Sequence, residues 1–148
     1  MLRPVITGTI ACAATLAVVS ALGARRHGPV APINAISHVL WGDDAAQAAR
    51  PDVRHTVPAV AINEGASIFW AALYERVFGR LAENGRIGCA LLGGAGVAAL
   101  AYLVDYHLVP RRLTPGWEYH LDGRSLAAAY GVLALSLPVR GLIRRAFA

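Results

Sequence analysis

Lysine is absent from the chain, cysteine occurs twice, methionine once, and charged residues of every kind make up only 16% of it. A charged fraction that low, beside 56% hydrophobic residues, departs from the soluble balance of about 25% charged and about 45–50% apolar. It argues against a water-soluble globule. Without lysine, all 14 basic residues are arginines, set against 9 acids for a net charge of +5. They lie between and beside long apolar runs, not along one stripe, which points to membrane headgroups and away from nucleic acid. Cys12 and Cys89 have no C-x-x-C neighbour and no nearby histidine, so they make neither a disulfide framework nor a metal motif. They read as small buried residues. Catalytic signatures are missing too. There is no H-E-x-x-H, neither Glu64 nor Glu75 opens an E-x-x-H motif, and Ser37 beside His38 is adjacency without triad geometry. The chain has no internal repeats or low-complexity tracts, and 148 residues suit a single domain.

What is present is apolar sequence in four long stretches. A transmembrane helix needs about 17–25 residues. Stretches of that length run from about Pro4 to Ala24, Val57 to Phe78, Ile87 to Val109 and Ser125 to Ile143. Thr56 is placed to cap the second, Pro110 ends the third, and Pro138 sets a kink in the fourth. The first could instead be a signal peptide cut near Ala21-Leu22-Gly23. Its apolar length and the arginines Arg25-Arg26 that follow favour a retained anchor. The expected fold is all-α, an integral membrane four-helix bundle in the bilayer. With four spans the arginines divide seven to seven between the two faces, so the positive-inside rule does not orient the chain by number. The very short, basic second loop favours cytoplasmic termini.

The first loop, roughly Arg25 to His55, is too long for a mere connector. Pro29-Val-Ala-Pro32 reads as extended chain. Asn34 to Trp41 then reads as a short interfacial helix stopped by Gly42, and Asp43 as the cap of a second, running through Ala49. In the third loop, Thr114-Pro115-Gly116 has turn chemistry and Trp117 reads as an interfacial anchor. The strings NAISHVLWGDDA, FWAALYERVFG and VDYHLVPRRLTPGWE resemble those of small bacterial inner-membrane proteins of no assigned function. That resemblance implies the four-span topology and a place in the bacterial inner membrane, and brings no activity with it.

Lipid offers no hydrophobic gain for helix association, so close approach depends on small residues and hydrogen bonds. Gly94, Ala98 and Ala101 make such a stripe on the third span and lead to Asp105. Ser67 and Ala71 do the same on the second, between Glu64 and Glu75, and the two stripes are expected to face each other or the bundle centre. A carboxylate at membrane depth needs a proton, a partner or a task. Glu64 and Asp105 lie at similar depth on the side of the two long loops, where Tyr102, Tyr130, His38, His55, His107 and His120 also fall. Glu75 falls at the opposite interface, solvated or paired with an arginine.

Three readings follow for the cluster of His38, Glu64, Asp105 and His107. The carboxylates are neutral or paired interhelical glue; or, with the imidazoles, they hold a metal or haem; or they form a proton or ion pathway. Asp105 and His107, two apart on a helix, point about 200° from one another, which weakens the metal reading. The expectation is an accessory or assembly subunit without catalysis of its own or a required cofactor, its partners being the bilayer and another membrane protein or a second copy. The rival is a metal-binding or proton-coupled protein.

Overall fold

Every regular element among the described residues, 2–24 and 26–147 of the computed structural model, is helical. Arg25 lies outside them. Four helices are long and apolar enough to cross a membrane: Leu2–Gly23, Thr56–Val77, Ile87–Leu108 and Gly123–Ala146. The first is α1 (Leu2–Gly23). Two short helices, α2 (Ala31–Ala35) and α3 (His38–Trp41), precede the second span, α4 (Thr56–Val77). A one-turn α5 (Gly79–Glu83) leads into α6 (Ile87–Leu103), and the fourth span is α7 (Gly123–Ser136) followed by α8 (Val139–Ala146). The spans form a ring in which α1 lies between α4 and α7, and α6 closes the other side against the same two helices. The 78–86 segment, the start of α1 and the end of α8 gather at one end of the bundle, here the terminus end. The segments 26–55 and 109–122 cover the other, the loop end.

Local departures from the sequence expectations have physical causes. Pro32 does not extend the chain but sits in the first turn of α2, where a missing N–H costs nothing. The expected helix over Asn34–Trp41 is divided at Ile36-Ser37, and Ser37 Oγ turns back to the Asn34 carbonyl at 2.7 Å. Thr56 is not the cap of α4 but its first residue. Its hydroxyl donates to Asn34 Oδ1 at 2.7 Å, tying α4 to α2. α7 begins two residues early because Asp122 caps it, accepting from the Ser125 amide at 2.9 Å. Trp117, expected at the interface, is only 5% exposed and lies under the loop end against Tyr130. Gly116 directs it there: its φ is +80°, and an added Cβ would stand 2.6 Å from the Ala35 carbonyl oxygen. Cys12 is buried as expected, whereas Cys89 lies on the outer surface of α6.

The two small-residue stripes turn to different neighbours. On α4, Ser67 and Ala71 are buried, Ser67 in the wall of the central cavity, and beside them Gly8 of α1 packs so closely that a Cβ would lie 2.6 Å from Ile68 Cα. On α6, Gly94, Ala98 and Ala101 are buried, and Gly94 lies directly on the carbonyl oxygen of Ala134 in α7. That carbonyl is four residues before Pro138, which has no N–H to return to it. The proline therefore frees an acceptor at the point where glycine lets α6 approach, and a Cα–H can face it. Beyond Leu103 the third span widens into a π-helical turn, Val104–Leu108, closed by Val109 N donating to the Val104 carbonyl at 3.0 Å.

Candidate functional site

The spans carry polar side chains in two groups, one near each end. At the terminus end Arg140, two residues past Pro138, is a guanidinium within the fourth span and needs a partner. It finds two. Nε and Nη2 donate to the two carboxylate oxygens of Glu75 at 2.9 and 2.8 Å, and Nη2 also donates to Glu83 at 2.9 Å. The Thr7 hydroxyl of α1 donates to Glu75 at 2.6 Å, so three spans and α5 meet there. The Glu75 and Arg140 side chains are 5% and 10% exposed. Arg3 and Arg144 approach Glu83 from outside at 3.4 and 3.7 Å. Burial pushes the Glu83 carboxyl up, but the Arg140 hydrogen bond and the charges of Arg3, Arg140 and Arg144 outweigh it and hold the group below the ordinary carboxylate range. Gly79 leaves the space that the Glu75 carboxylate fills.

The loop end is held mostly by neutral hydrogen bonds. Its centre is Asp105, whose carboxylate accepts from the Tyr130 hydroxyl of α7 at 2.6 Å. Tyr102 and Tyr106 stack around that phenol at 5.4 and 6.1 Å between ring centroids. Glu118 reaches in from the loop, where it accepts from the Thr114 hydroxyl and lies beside the Tyr106 hydroxyl. Beneath Trp117 a cavity of about 90 Å³ opens between α1, α4 and α7, with Asp105, Tyr130, Asn63, Ser67 and Thr15 among its walls. That is room for about three waters at about 30 Å³ each.

The residues singled out from the sequence are spread over the molecule. Tyr102 and Tyr130 do join Asp105. His107 does not: the π turn leaves it on the exposed surface, its ring 5.6 Å from Tyr102. His38 is fully buried in the loop layer, with Nδ1 2.9 Å from the Ala35 carbonyl oxygen and Nε2 3.3 Å from that of Arg111. Glu64 bonds neither tyrosine. It accepts from the Thr9 hydroxyl of α1 at 2.6 Å, because its face of α4 turns to α1. His55 bonds Asp52 at 2.9 Å. His120 Nε2 lies 2.7 Å from the Ala46 carbonyl oxygen; burial, with His27 nearby, pulls the imidazole below its ordinary value, against the pull of that carbonyl. Among the described residues no three His, Cys, Asp or Glu side chains are grouped as metal ligands.

Sequence reading placed Glu75 at the correct end but did not assemble the Arg140 network. The available signal was Arg140 inside the fourth span, near the same end of the bundle as Glu75 of the second. Glu118 was missed because it lies in a loop, and only the fold of Pro115–Gly116 carries it inward.

Arginine number does not distinguish the ends, but net charge does. The terminus end holds seven arginines against Glu75 and Glu83, a net +5. The described residues of the loop half hold six arginines against seven acids. Comparison with protein-family models, curated proteins and solved structures finds no match to this chain.

Proposed function

We propose that this protein is a non-catalytic membrane subunit that seats a transmembrane helix of another protein against α6 and α7. The observation that carries the reading is an apolar groove of about 550 Å³ on the outer face of those helices. Ala95, Ala99, Ala127 and Gly131 make its floor, and Tyr102 stands at its loop-end mouth. Lipid chains fill such a surface at no gain. A helix gains close backbone approach over small residues and a hydroxyl to bond, which is how helices associate in a bilayer. The dispersal of the histidines and carboxylates among separate local partners supports the same reading, since such pairs stiffen a scaffold. Placement in a bacterial inner membrane with cytoplasmic termini belongs to this proposal, the orientation supported by the very short, arginine-flanked second loop at the terminus end.

Photo-crosslinkers at Ala95 and Ala127 test it, with Leu135 on an exposed part of α7 as the control. The expected result is one product of discrete mass in near-stoichiometric yield from the first two positions, lost when Ala99→Leu fills the groove. A product of twice the chain's mass would make the occupant a second copy. Equal, diffuse crosslinking from all three would sink the seat.

A second reading is favoured by one specific feature, the cavity beside Asp105. Water there would connect the Asp105 carboxylate and the Tyr130 hydroxyl to the loop-end aqueous phase, as proton exchange requires. Asp105→Asn separates the readings. As glue the amide keeps its hydrogen bond and changes stability by less than about 1 kcal/mol. As a proton site it abolishes proton movement into liposomes that carry the protein, with the fold intact.

A further inference from the structure

A second surface groove lies at the terminus end, where α5 turns into α6. It measures about 490 Å³ and is lined by Phe78, Leu81, Arg86, Cys89, Leu92 and Gly93. Its depth comes from Gly93: the Phe78 ring lies flat on that position, where any Cβ would overlap it. The floor is apolar and faces outward at the level where the third span begins. Arg86 stands at the rim, and Arg145 of α8 reaches Gly85, its neighbour in the chain. Gly85, at φ +74°, has no side chain, and the Arg145 guanidinium occupies the space a Cβ would take while Nη1 donates to the Gly85 carbonyl at 3.4 Å. Both arginines are exposed. Among the described residues neither has a carboxylate within ion-pair distance, because Glu75 and Glu83 are taken by Arg140, Arg3 and Arg144.

We propose that this groove binds an anionic phospholipid, with the phosphate between Arg86 and Arg145 and one acyl chain along Phe78, Leu81 and Leu92. Two unneutralised guanidiniums at headgroup level recognise a phosphodiester, to which arginine can donate two parallel bonds. The apolar floor continues from them toward the bilayer interior, as a chain attached to that headgroup must. A peptide would also need partners for its backbone along the groove, and the lining offers only Arg86 as a polar side chain. Charge complementarity is specific to this end, since the excess of +5 lies there and the opposite end has none among its described residues.

The full chain in neutral detergent tests this by thermal unfolding and by lipid retention in native mass spectrometry. The probes are phosphatidylglycerol, phosphatidylcholine of the same chains, and inorganic phosphate. Phosphatidylglycerol should raise Tm and remain bound as a single lipid, and the other two should do neither. Arg86→Gln with Arg145→Gln should weaken phosphatidylglycerol binding at least about tenfold, near 1 kcal/mol per arginine. Leu92→Trp changes an outward side chain and fills the groove. It should lose the lipid while keeping the lipid-free Tm. Arg124→Gln, at the other end, should change nothing. Equal retention of phosphatidylcholine would overturn the proposal, as would inorganic phosphate reproducing the Tm shift or Arg124→Gln weakening binding as much as the pair.

Discussion

The two ends of this bundle solve one problem differently. At the terminus end a guanidinium and two carboxylates are buried together, and α1, α4, α5 and α8 are fastened by charge-assisted bonds at 2.8–2.9 Å with a threonine bond at 2.6 Å. At the loop end a tyrosine closes on one carboxylate, and the imidazoles of His38 and His120 bond backbone carbonyls of the loop layer. At the ionic end both carboxylates are engaged by the same guanidinium. The other keeps a cavity of about 90 Å³ beside its carboxylate. Satisfying a buried ion pair requires every lone pair to be met, which leaves a rigid knot. Bonds to neutral partners tolerate gaps, and water can fill those gaps.

The strongest way to break the comparison is Arg140→Met. It would leave Glu75 buried with only Thr7 and should cost about 3–5 kcal/mol, the usual consequence of removing one partner from a buried pair. Denaturation in mixed detergent micelles measures it, and Glu75→Gln added to the same chain should restore part of the loss. A cost below about 1 kcal/mol would mean that the network is solvated and not structural. Next comes the middle of the bundle, where neither end's chemistry acts. Gly94→Leu should cost about 1–3 kcal/mol by forcing α6 off the Ala134 carbonyl. Gly96→Leu, where a Cβ meets nothing within 4 Å, should stay within about 0.5 kcal/mol. Similar effects from the two would show that α6 does not pack through Gly94.

The smallest effect is one of pH, and it should separate the ends. Burial keeps the folded His120 below its ordinary value. As the pH falls from about 6.5, the unfolded chain therefore takes up the proton first, and stability is lost until the folded imidazole titrates too. Glu83 has the opposite placement. Its depressed value contributes stability that is complete above about pH 4.3 and is lost only as the pH falls through the folded value. Between pH 7 and 5, amide protection factors, which correct for the slower intrinsic exchange at lower pH, should fall over residues 111–122 and stay level over 79–86, and His120→Asn should flatten the first. Loss of protection over 79–86 first would reverse the assignment of the robust end.

Much of the fold was legible before any coordinates. Apolar run length located the four spans, since a bilayer sets the length of what crosses it, and Pro138 marked the interruption in the fourth. Burial of Gly94, Ala98 and Ala101 was readable from their spacing, because small residues at helical period are the means of close packing in lipid. Their partner was not. A helix face has a direction only once its neighbours are placed, so the pairing of α4 with α1 and of α6 with α7 could not be read from period alone. Asp105 and Tyr130 were suggested by depth, whereas Glu64 and His107, equally suggested by depth, turned elsewhere.

The sequence by itself determined the environment and the scaffold: an apolar composition with four runs of spanning length, small-residue faces, and acids that had to find partners. Tertiary structure alone decided which partners. Glu75 meets Arg140 across 65 positions, Glu64 meets Thr9 across 55 and Asp105 meets Tyr130 across 25. Such choices depend on the rotation and depth of each helix against its neighbours, and contacts between distant segments leave no periodic signal in one chain. The same holds for the grooves. Each is the space left when two particular helices approach over alanine or glycine, a property of the pair that neither segment displays alone.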